Sequence, residues 1–304
     1  MPRVVVAGPV AWNTLVDVEG LPPAVPHTAF ALGHREGLGG TSAGKALALA
    51  RLGVDVTLRT ALGDDAAADL IATALAHPRL TLAAVRGRGP SERHLNLMAA
   101  DGGRLSVYLD LPPDPGPVPD SVRDAVVGAD VVVVDLADHA RDVLRIARAA
   151  GVAVWCDLHD WDGVSEFHRE FADGADVVVV SGDRLDDPRA FLAARVAAGA
   201  RWAVCTLGAR GAVALGRAEG WVEVAAVPVR HVVDTNGAGD AFVAGALLGR
   251  LEGRSLHDCL RLGAAAGALA VQSADLVPAA LSAAALRARA APGAGHDAGA
   301  RERT

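Results

Sequence analysis

Short apolar runs without a polar face recur along this chain and predict buried strands. Residues 4–7 and 177–180 are examples, and such runs are typical of strands that are covered on both sides. From about residue 131 onwards they alternate with segments of helical spacing, such as residues 140–150 and 188–198. Strands that alternate with helices predict a mostly parallel sheet with helices on both faces, so the expected fold class is α/β.

A second pattern, the alternation of apolar and polar residues, covers residues 93–99 and 104–109 and predicts strands with one face in solvent. Asp101, Gly102 and Gly103 between these two stretches are typical of a hairpin turn. Residues 14–18 and 28–36 also have strand-like composition. Together the segments at about 14–36 and 93–109 predict a small sheet set apart from the main core.

Composition narrows the class of protein. The chain has 304 residues, of which 51% are hydrophobic, so it is long enough to bury a large core. The net charge of -7 argues against a nucleic-acid-binding surface. No apolar run is long enough to cross a bilayer, and the start of the chain lacks the layout of a signal peptide. Three widely spaced cysteines argue against a disulfide framework, so a cytoplasmic location is expected.

The most specific stretch lies at residues 231–242, where the end of an apolar strand is expected to lead through a glycine turn into a helix. Gly237 and Gly239 allow positive φ angles and a close approach of the backbone to a ligand. The amides of Gly237, Ala238 and Gly239 would share one concavity at the positive end of the helix, which is an anion site by geometry. Asp240 lies at its mouth. The helix dipole favours the ionised carboxylate, which can accept a proton beside the anion site.

The run Asp234-Thr235-Asn236-Gly237-Ala238-Gly239-Asp240 resembles the signature of the ribokinase-like (PfkB) sugar and nucleoside kinases. Further landmarks occur in family order between Val4 and about Pro278. The resemblance implies a three-layer α/β/α kinase domain at residues 1–289, with a small β-sheet lid. Residues 290–304, rich in Ala, Gly and Arg without periodicity, are expected to form a disordered tail.

The implied reaction transfers the γ-phosphoryl group of ATP to a hydroxyl group of a small sugar or sugar derivative. Asp240 would take the hydroxyl proton. The amides of Gly237, Ala238 and Gly239, together with Mg²⁺, would neutralise the developing charge. Two alternatives stay open: a nucleoside or vitamin-alcohol kinase of the same fold, and a ligand-binding homologue with reduced catalysis. The resemblance also leaves room for a homodimer formed through the lid edges.

The resemblance implies a set of binding residues as well. For the acceptor, Gly8-x-x-x-x-Asn13 resembles the first substrate loop, although family members usually have aspartate where Asn13 stands. Gly39 and Gly40 resemble the sugar-contacting pair, and Gly44 stands where an asparagine is common. Residues 205–212 resemble the nucleotide-side loop. The implied nucleotide-binding residues are Ser181, Thr206, Gly208, Gly211, Asn236, Gly237 and Gly239.

Two departures from the family pattern concern metal ions. The family usually carries Asn-x-x-Glu after the strand at 177–180, where it organises Mg²⁺; here the run is Ser181-Gly182-Asp183-Arg184, so Asp183 is the candidate ligand. A monovalent-cation site for K⁺ would include Asp234, but the later loop that completes it reads Gln272-Ser273-Ala274-Asp275.

Among the remaining residues, Lys45 is expected to be a solvated helix lysine. Most of the aspartates at strand ends, Asp135 and Asp157 included, are expected to be caps, although Asp157 faces the ligand side.

Overall fold

The chain forms two separate sheets, which the computed structural model describes over residues 1–100 and 102–290. In chain order the strands are β1 (Arg3–Ala7), β2 (Ala11–Val18), β3 (Gly33–Gly39), β4 (Asp55–Leu62), β5 (Leu80–Arg86), β6 (Arg93–Ala99), β7 (Arg104–Asp110), β8 (Val131–Val134), β9 (Ala153–Asp157), β10 (Val177–Ser181), β11 (Trp202–Thr206), β12 (Ala212–Gly216) and β13 (Gly220–Val224). The helices are α1 (Thr41–Arg51), α2 (Ala66–Ala74), α3 (Asp120–Val127), α4 (Arg141–Ala149), α5 (Glu166–Gly174), α6 (Pro188–Ala198), α7 (Ala238–Leu251), α8 (Leu256–Ala270) and α9 (Ala283–Ala290).

The larger sheet has the strand order β13-β12-β11-β10-β9-β8-β1-β4-β5 and is parallel except for the hairpin of β12 and β13 at one edge. Successive side chains of a strand point to opposite faces, so each strand contributes to two cores. In β8, Val131 and Val133 belong to the core that contains α1, α7 and α8, whereas Val132 and Val134 belong to the core that contains α3, α4 and α5. The predicted three-layer α/β/α fold is therefore confirmed.

The smaller sheet, the lid, has the order β3-β2-β6-β7. β2 and β6 are parallel neighbours, and β6 and β7 form the expected antiparallel hairpin. The second lid strand begins at Gly33, five residues later than predicted, because Gly33 already pairs with Asp17 near the end of β2. Before Gly33, the Leu32 amide still donates to the Asp17 carbonyl of β2 at 2.8 Å, but Phe30 is exposed and residues 28–32 do not form a strand.

Three further features differ from what the sequence suggested. Helices α3 and α9 were not expected, because each has only eight residues. Ala290 ends α9 and so does not belong to a tail; residues 291–304 lie outside the described part of the chain. The strand end expected just before the glycine turn is absent: Val232 and Val233 are exposed, and the Val233 amide donates to the Val271 carbonyl after α8 instead of to a strand.

Helix α7 is the central helix of one layer, and small residues let its neighbours approach closely. A Cβ at Gly245 would lie 2.6 Å from the Leu262 carbonyl oxygen of α8, and one at Gly249 would lie 3.1 Å from the Cys259 Cα. Residues 240–249 are all buried. The N-terminus of α7 is thereby held rigidly at the carboxyl ends of the parallel strands, where ligands of such sheets bind.

Candidate active site

The turn before α7 has the predicted positive φ angle at Gly237 but not at Gly239, which already lies inside the helix. Gly237 has φ 76°, and a Cβ there would lie 2.5 Å from the Leu276 carbonyl oxygen, so both conformation and space require glycine. The Ala241 amide donates to the Gly237 carbonyl at 2.9 Å, the bond that closes the first turn of α7. The amides of Gly239 and Asp240 precede that bond and therefore face out of the helix end. The space beside Gly239 is open, which suits an anion.

Asp240 is buried at the mouth of this helix end, with 7% of its surface exposed. Its carboxylate lies against the backbone of α1: a Cβ at Gly44 would lie 2.6 Å from Asp240 Oδ2. The other oxygen, Oδ1, accepts a hydrogen bond of 2.7 Å from Lys45 Nζ. Gly44 and Lys45 of α1 therefore determine where the candidate catalytic carboxylate stands.

Lys45 is not a solvated lysine, as the sequence suggested, but is completely buried. Its ammonium group contacts three carboxylates, because the carboxyl ends of β8 and β9 and the N-terminus of α7 meet at this point. Nζ lies 2.7 Å from Asp240 Oδ1, 3.0 Å from Asp135 Oδ1 and 3.0 Å from Asp157 Oδ2. Asp135 and Asp157 are accordingly members of this cluster. Sequence reasoning missed it, because the four residues come from four separate segments; the small-residue helix around Lys45 was the only signal.

Burial and the charges of this cluster shift the pKa values of Lys45, Asp157 and Asp240. Burial would lower the pKa of Lys45, but Asp135, Asp157 and Asp240 raise it well above its ordinary value. Burial would raise the pKa of Asp157, but Lys45 brings it down to about 2. Burial raises the pKa of Asp240 to about 6, and Lys45 limits that rise. Asp240 is thus ionised at neutral pH, with the lysine opposing the effect of burial.

Asp135, Asp157 and His159 place three potential ligand atoms within 4.8 Å of one another, a spacing that a metal ion could use. The ammonium group of Lys45 lies within hydrogen-bonding distance of both carboxylates. Since a cation already neutralises them there, the residues do not fit a metal ion at this position.

Asn13 and the glycines of the candidate substrate loops lie together where the lid meets the main sheet. Asn13 is 4% exposed, and its Oδ1 has no hydrogen-bond partner. A Cβ at Gly39 would lie 2.1 Å from Asn13 Nδ2, so only glycine leaves room for that side chain. Gly40 has φ 87°, and a Cβ there would lie 2.6 Å from the Pro9 carbonyl oxygen. A buried carbonyl oxygen without a donor is costly, so this position suits a ligand that supplies one.

The candidate nucleotide residues lie at the ends of β10 and β11, where Ser181 and Thr206 are paired neighbours. Gly208 has φ 55° and open space beside it, whereas a Cβ at Gly211 would lie 2.0 Å from the Val224 carbonyl oxygen of β13. Gly211 is therefore required by the fold. Asp183 is exposed, and its Oδ2 accepts a hydrogen bond of 2.8 Å from the Ser181 hydroxyl. The binding roles of these residues stay predictions.

Two arginines of the lid contact the turn that precedes α7, a feature that sequence reasoning missed. Arg35 of β3 pairs with Asp234 Oδ2 and also with Asp17 of β2. The other oxygen of Asp234 accepts the Asn236 amide at 2.8 Å. Arg104 of β7 donates to Asn236 Oδ1 at 3.4 Å. Each oxygen of the Asp234 carboxylate thus has a donor in contact with it, and a monovalent-cation site at Asp234 stays a prediction.

Comparisons with known proteins agree with this geometry. The family model described as "pfkB family carbohydrate kinase" matches residues 3–281. Acarbose 7(IV)-phosphotransferase of Actinoplanes sp. is 34% identical over 284 residues, which cover 88% of this chain and 91% of that protein. Ribokinase of Arabidopsis thaliana is 26% identical over 91% of this chain and 78% of its own length. A solved structure of a microbiome-derived acarbose kinase superposes with a TM-score of 0.82, at 32% identity over 95% of this chain and 98% of its own.

Within the described residues, no helix combines the length and apolar composition needed to cross a membrane.

The matched family model covers nearly the whole described chain, and the relatives are similar over most of their own length. The chain therefore belongs to the pfkB family of carbohydrate kinases and is an ATP-dependent phosphotransferase that acts on a sugar hydroxyl group.

Proposed function

We propose that Asp240 is the general base of this reaction and that the acceptor sugar lies between Asp240 and Asn13. The observation that carries the proposal is the position of the Asp240 carboxylate, which is buried and ionisable at the open N-terminus of α7. A base must stand within reach of both the attacking hydroxyl and the phosphoryl group that the hydroxyl attacks. Anionic phosphate is favoured at a helix N-terminus, which lies directly beside this carboxylate.

In the proposed step, a hydroxyl oxygen of the sugar forms a bond to the γ-phosphorus of ATP while the bond from that phosphorus to the β-phosphate oxygen breaks. The hydroxyl proton passes to Asp240, and ADP leaves with the bonding electrons. The amides of Gly237 and Gly239 stabilise charge on the transferred group, whereas the Ala238 amide already donates to the Thr235 carbonyl at 3.3 Å. Ser181, Thr206, Gly208, Gly211 and Asn236 bind the nucleotide. The lid excludes water, which would otherwise compete as an acceptor.

Asn13, Gly39, Gly40 and Gly44 form the acceptor side of the site. The unpartnered Oδ1 of Asn13 accepts a hydrogen bond from a hydroxyl group of the substrate. An asparagine carries no charge, whereas the aspartate common in the family does. The site therefore also tolerates a carbonyl or carboxylate group of the acceptor near this position. A sugar derivative is accordingly a better candidate than plain ribose.

Asp183 is the proposed protein ligand for Mg²⁺, since it presents an exposed carboxylate oxygen of the hard type that this ion prefers. Mg²⁺ supplies charge neutralisation at the phosphates when it is bound. K⁺ is not expected to be required, because the guanidinium group of Arg35 already neutralises the Asp234 carboxylate. A homodimer through the lid remains a prediction, and β7 offers an edge that is exposed along most of its length.

The test is an acceptor panel of acarbose, ribose, fructoselysine and adenosine with ATP and Mg²⁺, followed by ADP release and by the mass of the product. We expect phosphorylation of a sugar derivative. Asp240→Asn keeps the shape of the side chain but cannot take the proton, so it should lower kcat by about 10²- to 10⁴-fold while calorimetry shows unchanged ATP binding. Phosphorylation of adenosine alone would favour a nucleoside kinase. Equal turnover by Asp240→Asn and wild type would remove Asp240 from its proposed role.

A further inference from the structure

We propose that Lys45 is a positioning residue for phosphoryl transfer, which orients the carboxylate of Asp240 and keeps it negatively charged at neutral pH. The inference rests on the proposed role of Asp240 as the base. Lys45 itself is completely buried, so it does not touch the substrates. It acts through the hydrogen bond of 2.7 Å from its Nζ to Asp240 Oδ1.

The geometry of the ammonium group supports this role. Three carboxylate oxygens lie 2.7 to 3.0 Å from Nζ, and the shortest of these contacts is the hydrogen bond to Asp240 Oδ1. Asp135 Oδ1 forms an ion pair with Nζ but accepts no hydrogen bond. The two carboxylates that do not belong to α7 are themselves held. Asp135 Oδ2 accepts the Ser42 hydroxyl at 2.6 Å, and Asp157 Oδ1 accepts the His159 amide at 3.0 Å. Neighbours that are themselves held in place thus fix the position of the Lys45 ammonium group, and its hydrogen bond in turn fixes the carboxylate of Asp240.

The charges explain why the lysine is needed. Asp240 is buried, and Asp157 opposes its negative charge from the end of β9. Lys45 from α1 and His159 from the segment after β9 favour the charged form of Asp240. Asp135 contacts the same ammonium group of Lys45 as Asp240 does. Three buried carboxylates without a cation could not all stay ionised. Without Lys45, a proton would bind to the cluster, and Asp240, whose pKa burial already raises to about 6, is where it would go.

The backbone beside Lys45 supports the same conclusion. Gly44 leaves no side chain between α1 and Asp240 Oδ2, so the carboxylate can lie against α1 with Oδ1 on the ammonium group. That arrangement leaves Oδ2 as the oxygen that receives the substrate proton.

Two variants with opposite expected effects test the proposal. Lys45→Met removes the cation and should raise the pKa of Asp240 by about one to three units, as expected for the loss of an opposite charge in contact. Asp135→Asn keeps the shape, since its Oδ1 can accept from Lys45 while its Nδ2 donates to the Ser42 hydroxyl. It removes a competing negative charge, so the pKa of Asp240 should fall below the wild-type value.

The first measurement is the titration of the Asp240 side-chain carboxyl by ¹³C NMR, assigned by its absence in Asp240→Asn. The second is the pH profile of kcat/KM, whose acidic limb should move to higher pH in Lys45→Met and to lower pH in Asp135→Asn. With a shift of about two units, Lys45→Met should lose about tenfold in rate at neutral pH and recover it at alkaline pH. A purely structural role predicts a pH-independent loss or a lower melting temperature with an unmoved limb.

The outcomes separate the two proposals. If wild type phosphorylates a sugar and Asp240→Asn does not, but the limb and the carboxyl titration stay in place in both cluster variants, the inference about Lys45 is wrong and the proposed function stands. If the enzyme transfers phosphate equally well with Asp240→Asn, the proposed base is wrong, while the NMR titration still decides whether Lys45 controls that carboxylate. If Lys45→Met does not fold, the test is the pKa of Asp240 in Asp135→Asn. A pKa lower than that of wild type supports the proposal, and an unchanged pKa overturns it.

Discussion

A methyl group added at Gly44 should displace the catalytic carboxylate without weakening nucleotide binding. The Cβ of Gly44→Ala would lie 2.6 Å from Asp240 Oδ2, 2.9 Å from its Cβ and 3.0 Å from its Cγ. Carbon and oxygen normally approach to no less than about 3.3 Å, so the carboxylate must move by about 0.7 Å. It cannot move freely, since Lys45 Nζ donates to its other oxygen at 2.7 Å.

The expected size of the effect follows from this displacement. A misplacement of about 1 Å at a reacting group can cost about 10²-fold in rate, so kcat should fall by about 10- to 100-fold in Gly44→Ala. Stability should change much less. Overpacking costs about 1–3 kcal/mol, but alanine in place of a helical glycine contributes about 1 kcal/mol in the opposite direction. The free energy of unfolding should therefore fall by at most about 2 kcal/mol.

The assay is steady-state kinetics with ATP and the best acceptor of the panel, together with denaturant unfolding and ATP binding by calorimetry. Gly267→Ala is the matched control, because Gly267 lies in α8 and its added Cβ would meet only the Ala238 carbonyl oxygen at an ordinary 3.4 Å. It should keep its activity. The expected tenfold loss corresponds to about 1.4 kcal/mol in the activation free energy. If kcat of Gly44→Ala stays within about twofold of wild type, catalysis does not depend on the present position of Asp240.

Three further predictions concern the acceptor and the ions. Asn13→Asp replaces a neutral amide by a carboxylate, which should leave a polar group of the native sugar substrate unmatched at a cost of about 1–3 kcal/mol. The ratio of kcat/KM for that substrate to kcat/KM for ribose should therefore fall by about 5- to 100-fold. An unchanged ratio would mean that Asn13 does not contact the sugar. Asp183→Ala should raise the Mg²⁺ concentration needed for half-maximal rate, and a superimposable Mg²⁺ titration would exclude Asp183 as a ligand. The wild-type enzyme should be equally active in potassium chloride and in choline chloride at constant ionic strength. Arg35→Ala removes the ion-pair partner of Asp234, so this variant should be stimulated by K⁺. Stimulation of the wild-type enzyme by K⁺ would contradict the prediction.

Much of this protein follows from the sequence by itself. The valine runs of β8 and β10 predict buried parallel strands, because a run without a polar face can only lie between two apolar layers. The bounds of α6 were predicted to the residue, since Asp187 caps its start and Gly199 follows its end. The turn at Gly237 was likewise predictable, because its backbone conformation is one that glycine adopts readily. Local preference and local chemistry agree at these positions.

The tertiary structure alone decided what surrounds Asp240. In the sequence, nothing distinguishes Lys45 from an ordinary helix lysine. Its burial depends on carboxylates that lie about 90 to 195 residues away along the chain, those of Asp135 and Asp240 among them. The Ser42 hydroxyl holds the Asp135 carboxylate in place. The pairing of Arg35 with Asp234 joins the lid to the turn before α7 in the same way. Hydrophobic periodicity carries no information about which charged groups will meet, because the cost of burying a charge depends on partners that only the assembled fold brings within reach.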